Sequence, residues 1–103
     1  MTEPMRIRAQ LKDGVVNVTV LVAHEMESGQ RRDAAGKLVP AWFIQSLNVN
    51  HNGKPVMGAQ LGPAVSKNPV FRFSFKGGKP GDKISVSWKD NKGETRTDEG
   101  VVS

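Results

Sequence analysis

The chain has no cysteine and no tyrosine among its 103 residues. Without cysteine there is no disulfide, no thiol nucleophile and no zinc site with cysteine ligands. The sequence also has no apolar run of about 18 residues, so it predicts no transmembrane helix. We therefore expect neither a disulfide-stapled domain nor a membrane-spanning protein.

The first residues, MTEPMR, lack the charged region followed by an apolar region that marks a secretory signal peptide. Taken alone, this predicts a cytoplasmic location, unless a signal was removed or a partner carries the chain out of the cytoplasm. The length predicts a single domain spanning 1–103, which is long enough to form a core without staples.

Short alternations of apolar and polar residues fill most of the chain, and their period of two is that of a β-strand. The predicted strands are 5–11, 15–23, 42–50, 56–61, 70–76, 83–90 and 95–102. Turn signals separate them, and Asn52-Gly53 is the strongest because both residues accept a positive φ. No segment has a convincing helical period.

Seven short strands in about 100 residues predict an all-β fold, an immunoglobulin-like antiparallel β-sandwich. An open barrel of five or more strands is the alternative. Within the third strand, we expect Phe43, Leu47 and Val49 to share one face. Trp42 and Ile44 are expected on the other face.

The net charge is +5, and residues 66–92 contain seven lysines and arginines against two aspartates. A basic surface favours an anionic partner such as nucleic acid, an acidic protein or a small oxyanion. Solvent-facing lysines that keep a β-domain soluble explain the charge equally well. Nucleic acid is disfavoured because single-strand binders need exposed aromatic side chains, whereas the alternation of 70–76 turns its three phenylalanines inward.

Residues 24–27 offer a histidine and two carboxylates, which are possible ligands of a divalent metal. The other histidine, His51, lies beside a distant hairpin turn, and no HxH or HExxH motif occurs. No serine lies in a nucleophile motif, and the glycine-rich turn 77–81 lacks the following helix that a phosphate site needs. We therefore predict no catalytic residue, no metal site and no cofactor, and interpret His24 as a strand-ending histidine whose ring bonds to backbone.

The segment 24–40 interrupts the strand pattern and is long for a connection, since about 2–6 residues are usual in a small domain. Its adjacent Arg31 and Arg32 can bind carboxylates in bidentate geometry, and arginine is enriched at interfaces. The segment 62–69 contains two prolines that pre-set its backbone, so it would lose less entropy on binding. The two prolines are explained equally well if the segment is a stiff crossover between two sheets.

Trp42, which follows the interruption, is expected either in the core or as an anchor for a partner. The predicted partner-binding residues lie in or beside these two segments: Met26, Gln30, Arg31, Arg32, Asp33, Trp42, Pro63, Val65, Lys67 and Asn68.

These loops resemble those of the SoxZ family. The segments that carry the resemblance are 26–40 (MESGQRRDAAGKLVP), 43–44 (FI), 51–54 (HNGK), 62–69 (GPAVSKNP), 75–78 (FKGG), 90–93 (DNKG) and 95–98 (TRTD). Together they extend over nearly the whole chain. The loop segments are specific, whereas the strand segments alone would not be.

The resemblance implies an immunoglobulin-like sandwich that is the non-cysteine, non-enzymatic subunit of the SoxYZ carrier in bacterial thiosulfate oxidation. It implies pairing with SoxY, whose cysteine lies on a mobile C-terminal arm and carries the sulfur intermediates. The resemblance also implies transient contacts with the Sox enzymes, and it implies no nucleic-acid or membrane partner.

The resemblance also revises the expected location to the periplasm, reached by export with a signal-bearing partner. The isolated chain is expected to be able to self-associate through the apolar face that SoxY would cover. The alternative function is a free-standing basic β-module that binds nucleic acid or another anionic partner.

Overall fold

The computed structural model describes residues 2–103, which form seven strands in two antiparallel sheets. The predicted all-β, immunoglobulin-like sandwich is confirmed. The strands are β1 (Arg6–Lys12), β2 (Val15–Leu21), β3 (Ile44–His51), β4 (Lys54–Gln60), β5 (Val70–Lys76), β6 (Lys83–Asp90) and β7 (Thr95–Val101). No helix in this part of the chain is long and apolar enough to cross a membrane.

The two sheets bury one continuous apolar core between them. The strand order is β1-β2-β5 in the three-stranded sheet and β4-β3-β6-β7 in the four-stranded sheet. Because successive side chains of a strand point to opposite faces, every second residue of the central strands enters the core. The fully buried members on these strands include Val16, Val18, Val20, Leu47, Val49, Ile84 and Val86.

The expectation that Ile44 lies on the opposite face from Leu47 and Val49 is wrong. All three side chains are completely buried in the core. The register between β3 and β6 shifts between Ile44 and Ser46. This bulge adds one residue to β3, so that Ile44 and Leu47 reach the same face despite their odd spacing.

One side of the sandwich is closed by β1 and the chain end that follows β7. Ala9 forms a parallel bridge with Val102. The N–H of Leu11 donates to the carbonyl of Ser103 at 3.0 Å, and the N–H of Ser103 donates to the carbonyl of Ala9 at 3.0 Å. These bonds join the two sheets along this side.

The other side, between β4 and β5, is open. No strand formed by residues 2–103 pairs with the outer edge of either. Because the sheets are joined at β1 and β7 and differ by one strand, β4 has no strand facing it. The inward-facing side chains here are only half-buried, although they pack against the core: Met57, Phe71, Phe73 and Phe75.

A histidine and an aspartate fasten the end of the sandwich where β3 ends and β6 begins. The Nε2 of His51 lies 2.7 Å from the Oδ2 of Asp82, which also accepts the N–H of Lys79 at 2.8 Å. The hydrogen bond from His51, with further ones from Lys79 and Asn52, lowers the pKa of Asp82 to about 2. This carboxylate therefore stays ionised well into the acid range.

The lowered pKa of Asp82 predicts a specific acid sensitivity. In the folded state its pKa of about 2 is below the ordinary value of 3.8. Its stabilising contribution is therefore complete above a pH of about 4 and is lost as the pH falls towards about 2. We expect Asp82→Asn to flatten the loss of stability across this interval, as measured by urea unfolding at a series of pH values.

Asp13→Asn is the matched control, because Asp13 lies in the β1–β2 turn and its side chain forms no hydrogen bond or ion pair with residues 2–103. It should keep the wild-type acid profile. Identical profiles for Asp82→Asn and the wild type would contradict the assignment.

Candidate partner-binding site

Two long loops lie side by side at the opposite end of the sandwich. The first loop (residues 22–43) connects β2 to β3, and the second loop (residues 61–69) connects β4 to β5. The N–H of His24 donates to the Oδ1 of Asn68 at 3.0 Å, and the N–H of Asn68 donates to the carbonyl of His24 at 2.9 Å. The two segments singled out in the sequence therefore form one surface.

The carboxylate of Asp90, at the end of β6, joins several parts of the chain at this end. Its side chain is completely buried. Its Oδ2 accepts the indole N–H of Trp42 at 2.7 Å and bonds to the Nε2 of His24 at 3.2 Å. Its Oδ1 accepts the N–H groups of Lys92 at 3.0 Å and Glu94 at 2.9 Å. Each oxygen thus has two donors, which is the ordinary capacity of a carboxylate.

The hydrogen bonds of His24 determine which of its nitrogens is protonated. The N–H of Met26 donates to Nδ1 at 3.0 Å, so Nδ1 is an acceptor. The proton therefore resides on Nε2, which donates to Asp90, and the imidazole is neutral. The bond from the ring to backbone agrees with the sequence interpretation of His24, whereas the carboxylate partner was not foreseen.

Burial raises the pKa of Asp90, but the hydrogen bonds from Trp42, His24 and two backbone N–H groups outweigh burial and hold the pKa below its ordinary value. The carboxylate is therefore ionised at neutral pH. Because all its acceptor positions are occupied, it has no free position from which to take a proton from a substrate. The cluster is suited to holding the loops, not to acid–base chemistry.

Trp42 lies between core and surface, with its indole N–H bonded to the buried Asp90, and its role as an anchor for a partner stays a prediction. Its half-buried ring meets the ring of His24 at a centroid distance of 5.1 Å. The Nζ of Lys92 lies 4.2 Å from the centre of the indole, in cation–π geometry. Trp88 meets His24 from another direction at 5.2 Å. The three rings border a cavity of about 300 Å³, which Lys67 also lines.

The tip of the first loop is a small hairpin instead of an open connection. Arg32 and Leu38 form an antiparallel bridge. The Oδ1 of Asp33 accepts the N–H groups of Ala35 at 2.9 Å and Lys37 at 3.0 Å, which closes the turn. These bonds pre-organise an exposed surface.

The two arginines of this hairpin are exposed and bonded only within the loop. Arg31 pairs with the carboxylate of Glu27, its Nη2 lying 2.9 Å from Oε1. This hydrogen bond lowers the pKa of Glu27. The Nη1 of Arg32 donates to the carbonyl of Gly36 at 2.8 Å. Both guanidiniums keep further N–H donors directed to solvent, since each has five.

The remaining predicted binding residues differ in exposure. Met26 is buried, and its sulfur accepts a backbone N–H of β3 at 3.4 Å, so its side chain belongs to the core. Val65 is half-buried against the core. Lys67 is exposed and its Nζ lies 3.2 Å from a carboxylate oxygen of Glu25. The other exposed members are Gln30, Asp33, Pro63 and Asn68.

Within residues 2–103, no three histidine, aspartate or glutamate side chains come together as a metal ion requires. The two histidines lie at opposite ends of the sandwich, each bonded to a different aspartate. The arrangement of this end supports binding through surface contacts. Whether the exposed residues contact a partner stays a prediction.

Residues 5–101 match the family model described as "Sulphur oxidation protein SoxZ". The chain belongs to the SoxZ family. The match extends over all seven strands and both loops, and so over nearly the whole of the chain. No curated protein matches the chain. Membership of this family supports a role in the Sox sulfur-oxidation system and implies partnership with other proteins of that system.

The structure makes a direct prediction for Asp90. In Asp90→Asn, one oxygen is replaced by an amide NH₂ group that faces hydrogen-bond donors, so two donors lose their acceptor. We expect the free energy of unfolding to fall by about 2–4 kcal/mol, measured by urea denaturation.

Glu99→Gln is the matched control. The carboxylate of Glu99 is exposed and lies 3.5 Å from Lys83, so its loss should cost less than about 1 kcal/mol. An Asp90→Asn protein as stable as this control would show that Asp90 does not hold the loops.

Proposed function

We propose that this protein is the non-catalytic subunit of a periplasmic thiosulfate-oxidation carrier complex and pairs with SoxY, whose cysteine bears the sulfur intermediates. Membership of the SoxZ family supports this role. The chain itself contains no cysteine and so has no thiol to carry a sulfur adduct. In this proposal, its task is to help present the cysteine of SoxY to the Sox enzymes.

The observation that carries the proposal is the open side between β4 and β5. Met57 and Phe73 face inward there but remain half-buried, and no strand of residues 2–103 covers them. The outer edges of both strands also present backbone N–H and C=O groups that can pair with another strand. An apolar surface beside unpaired strand edges is suited to a second subunit, and we assign SoxY to this side.

The end formed by the two loops offers a second contact surface. Its exposed Arg31 and Arg32 match the carboxylates of an incoming protein. The hairpin is held by its own hydrogen bonds, so little order has to be gained on binding. We propose that this surface contacts SoxY or the Sox enzymes.

Co-expression with SoxY tests the pairing. We expect SoxY to co-purify with this chain and to slow amide hydrogen exchange in β4 and β5, while the central strand β6 serves as an internal control. A chain that elutes as a monomer in the presence of SoxY would contradict the pairing. Protection at β1 and β7 would place the interface on the closed side.

Cells that co-express this chain and SoxY also test the cellular location of the chain. Cell fractionation should find this chain in the periplasm only when SoxY with an export signal is co-expressed. Export without SoxY, or retention in the cytoplasm with it, would contradict the proposed route.

Replacing Arg31 and Arg32 with alanine tests the loop surface separately. We expect weaker binding to SoxY or to a Sox enzyme, measured by titration calorimetry, and a melting temperature close to that of the wild type. The reason is that both side chains are exposed and bond only within the loop. Lys37→Ala, in the same hairpin, is the control for a lost cation. A large drop in melting temperature would instead show that the two arginines stabilise the fold.

A further inference from the structure

The outer face of the three-stranded sheet bears five cations and no carboxylate. The register places even-numbered residues of β1 and β5, and odd-numbered residues of β2, on this face. The five exposed cations are Arg6, Arg8, Lys12, Arg72 and Lys76. We call this surface the cationic face.

None of these five side chains forms an ion pair or a hydrogen bond within residues 2–103, whereas other cations do. Arg31 pairs with Glu27, for example, and Arg96 with Asp98 at 2.8 Å. Like charges on neighbouring strands repel. No carboxylate within residues 2–103 is paired with these positive charges, and an anionic partner would relieve the repulsion between them.

Three arginines converge on one part of the cationic face. Arg8, Thr19 and Arg72 lie in one row across the sheet. Since neighbouring strands are about 4.8 Å apart, the backbones of Arg8 and Arg72 are about 10 Å apart, with the hydroxyl of Thr19 between them. Together with Arg6, Ile7 and Leu21 they line a groove of about 530 Å³.

The composition of this groove indicates a protein partner. Leu21 and Val70 are register partners in the next row, and they are 43% and 45% exposed. An exposed apolar pair beside arginines is typical of a protein interface, and a small ion would leave it uncovered. No aromatic residue occupies the outward positions of the three strands, so the face has no platform on which nucleic-acid bases would stack.

We propose that the cationic face docks the carboxylate-rich surface of a second protein partner. Arginine binds carboxylates in bidentate geometry, which gives orientation as well as attraction. The proposal goes beyond pairing with SoxY, because the face lies on the other side of the sheet from the inward-facing residues of β5. A subunit seated between β4 and β5 would leave the cationic face accessible.

The test is an NMR titration of the ¹⁵N-labelled chain, alone and in complex with SoxY, using a glutamate-rich peptide as the probe. We expect shift changes centred on Arg8, Thr19 and Arg72 that disappear as the salt concentration rises. Reversing charge in Arg8→Glu/Arg72→Glu should weaken binding about tenfold, from the loss of two exposed ion pairs and the added repulsion.

Lys83→Glu/Lys89→Glu makes the same change in net charge on the exposed side of β6, away from this face and from β4, β5 and the loops, and should leave the site of binding and the affinity nearly unchanged. Arg8→Gln/Arg72→Gln provides a second variant in case the reversal impairs folding. Equal weakening in the control pair, or shift changes centred elsewhere, would overturn the proposal.

Sodium sulfate and a single-stranded oligonucleotide are titrated in parallel. Tighter binding of either one at this face would replace the acidic protein with a small oxyanion or a nucleic acid. Peptide binding that is lost in the SoxY complex would show that SoxY covers the face, and would overturn its assignment to a second partner. A chain that fails to pair with SoxY but still binds the peptide here would contradict only the pairing.

Discussion

The end of the sandwich that holds both long loops depends on one buried carboxylate. An ionised group in the core is costly unless it is fully hydrogen-bonded, and Asp90 meets this condition with donors from Trp42, His24 and the turn after β6. These donors belong to separate parts of the chain, so satisfying one charge fixes where the first loop leaves β2 and where it enters β3. Through the paired bonds of His24 and Asn68, the same charge also positions the second loop.

The rest of the molecule divides into surfaces of different chemistry because the sandwich is asymmetric. A three-stranded sheet packed on a four-stranded one is sealed at β1 and left open at β4 and β5. The open side is apolar, the loop end is charged in both signs, and the strands of the three-stranded sheet present cations but no carboxylate on their outer face. Apolar burial supports a lasting interface, whereas long-range charge supports steered and reversible encounters. A Sox-system protein that works through protein–protein contacts can use both kinds of contact.

Much of the fold could be predicted from the sequence, because each strand has the period of two and is bounded by turn residues. The bounds of β5 and β6 agree with the prediction, and those of the other strands differ by a few residues. The face of Ile44 was predicted wrongly, since a bulge depends on how β3 pairs with β6 and leaves no sign in the local pattern. The role of Asp90 was missed for a similar reason: in sequence it is one acidic residue at the end of a strand, and its partners are 48 and 66 positions away.

The sequence by itself determined the strands, most of their apolar faces, the absence of a thiol and the family, because these depend on residue type and local spacing. Only the tertiary structure decided which charges have a partner of opposite sign and which apolar surfaces are covered by another strand. Arg31 finds a carboxylate nearby, whereas Arg8 and Arg72 come together across β2 with no carboxylate on their face. The physical reason is that neutralisation and coverage depend on distances between segments, and those distances are set when the two sheets pair and pack.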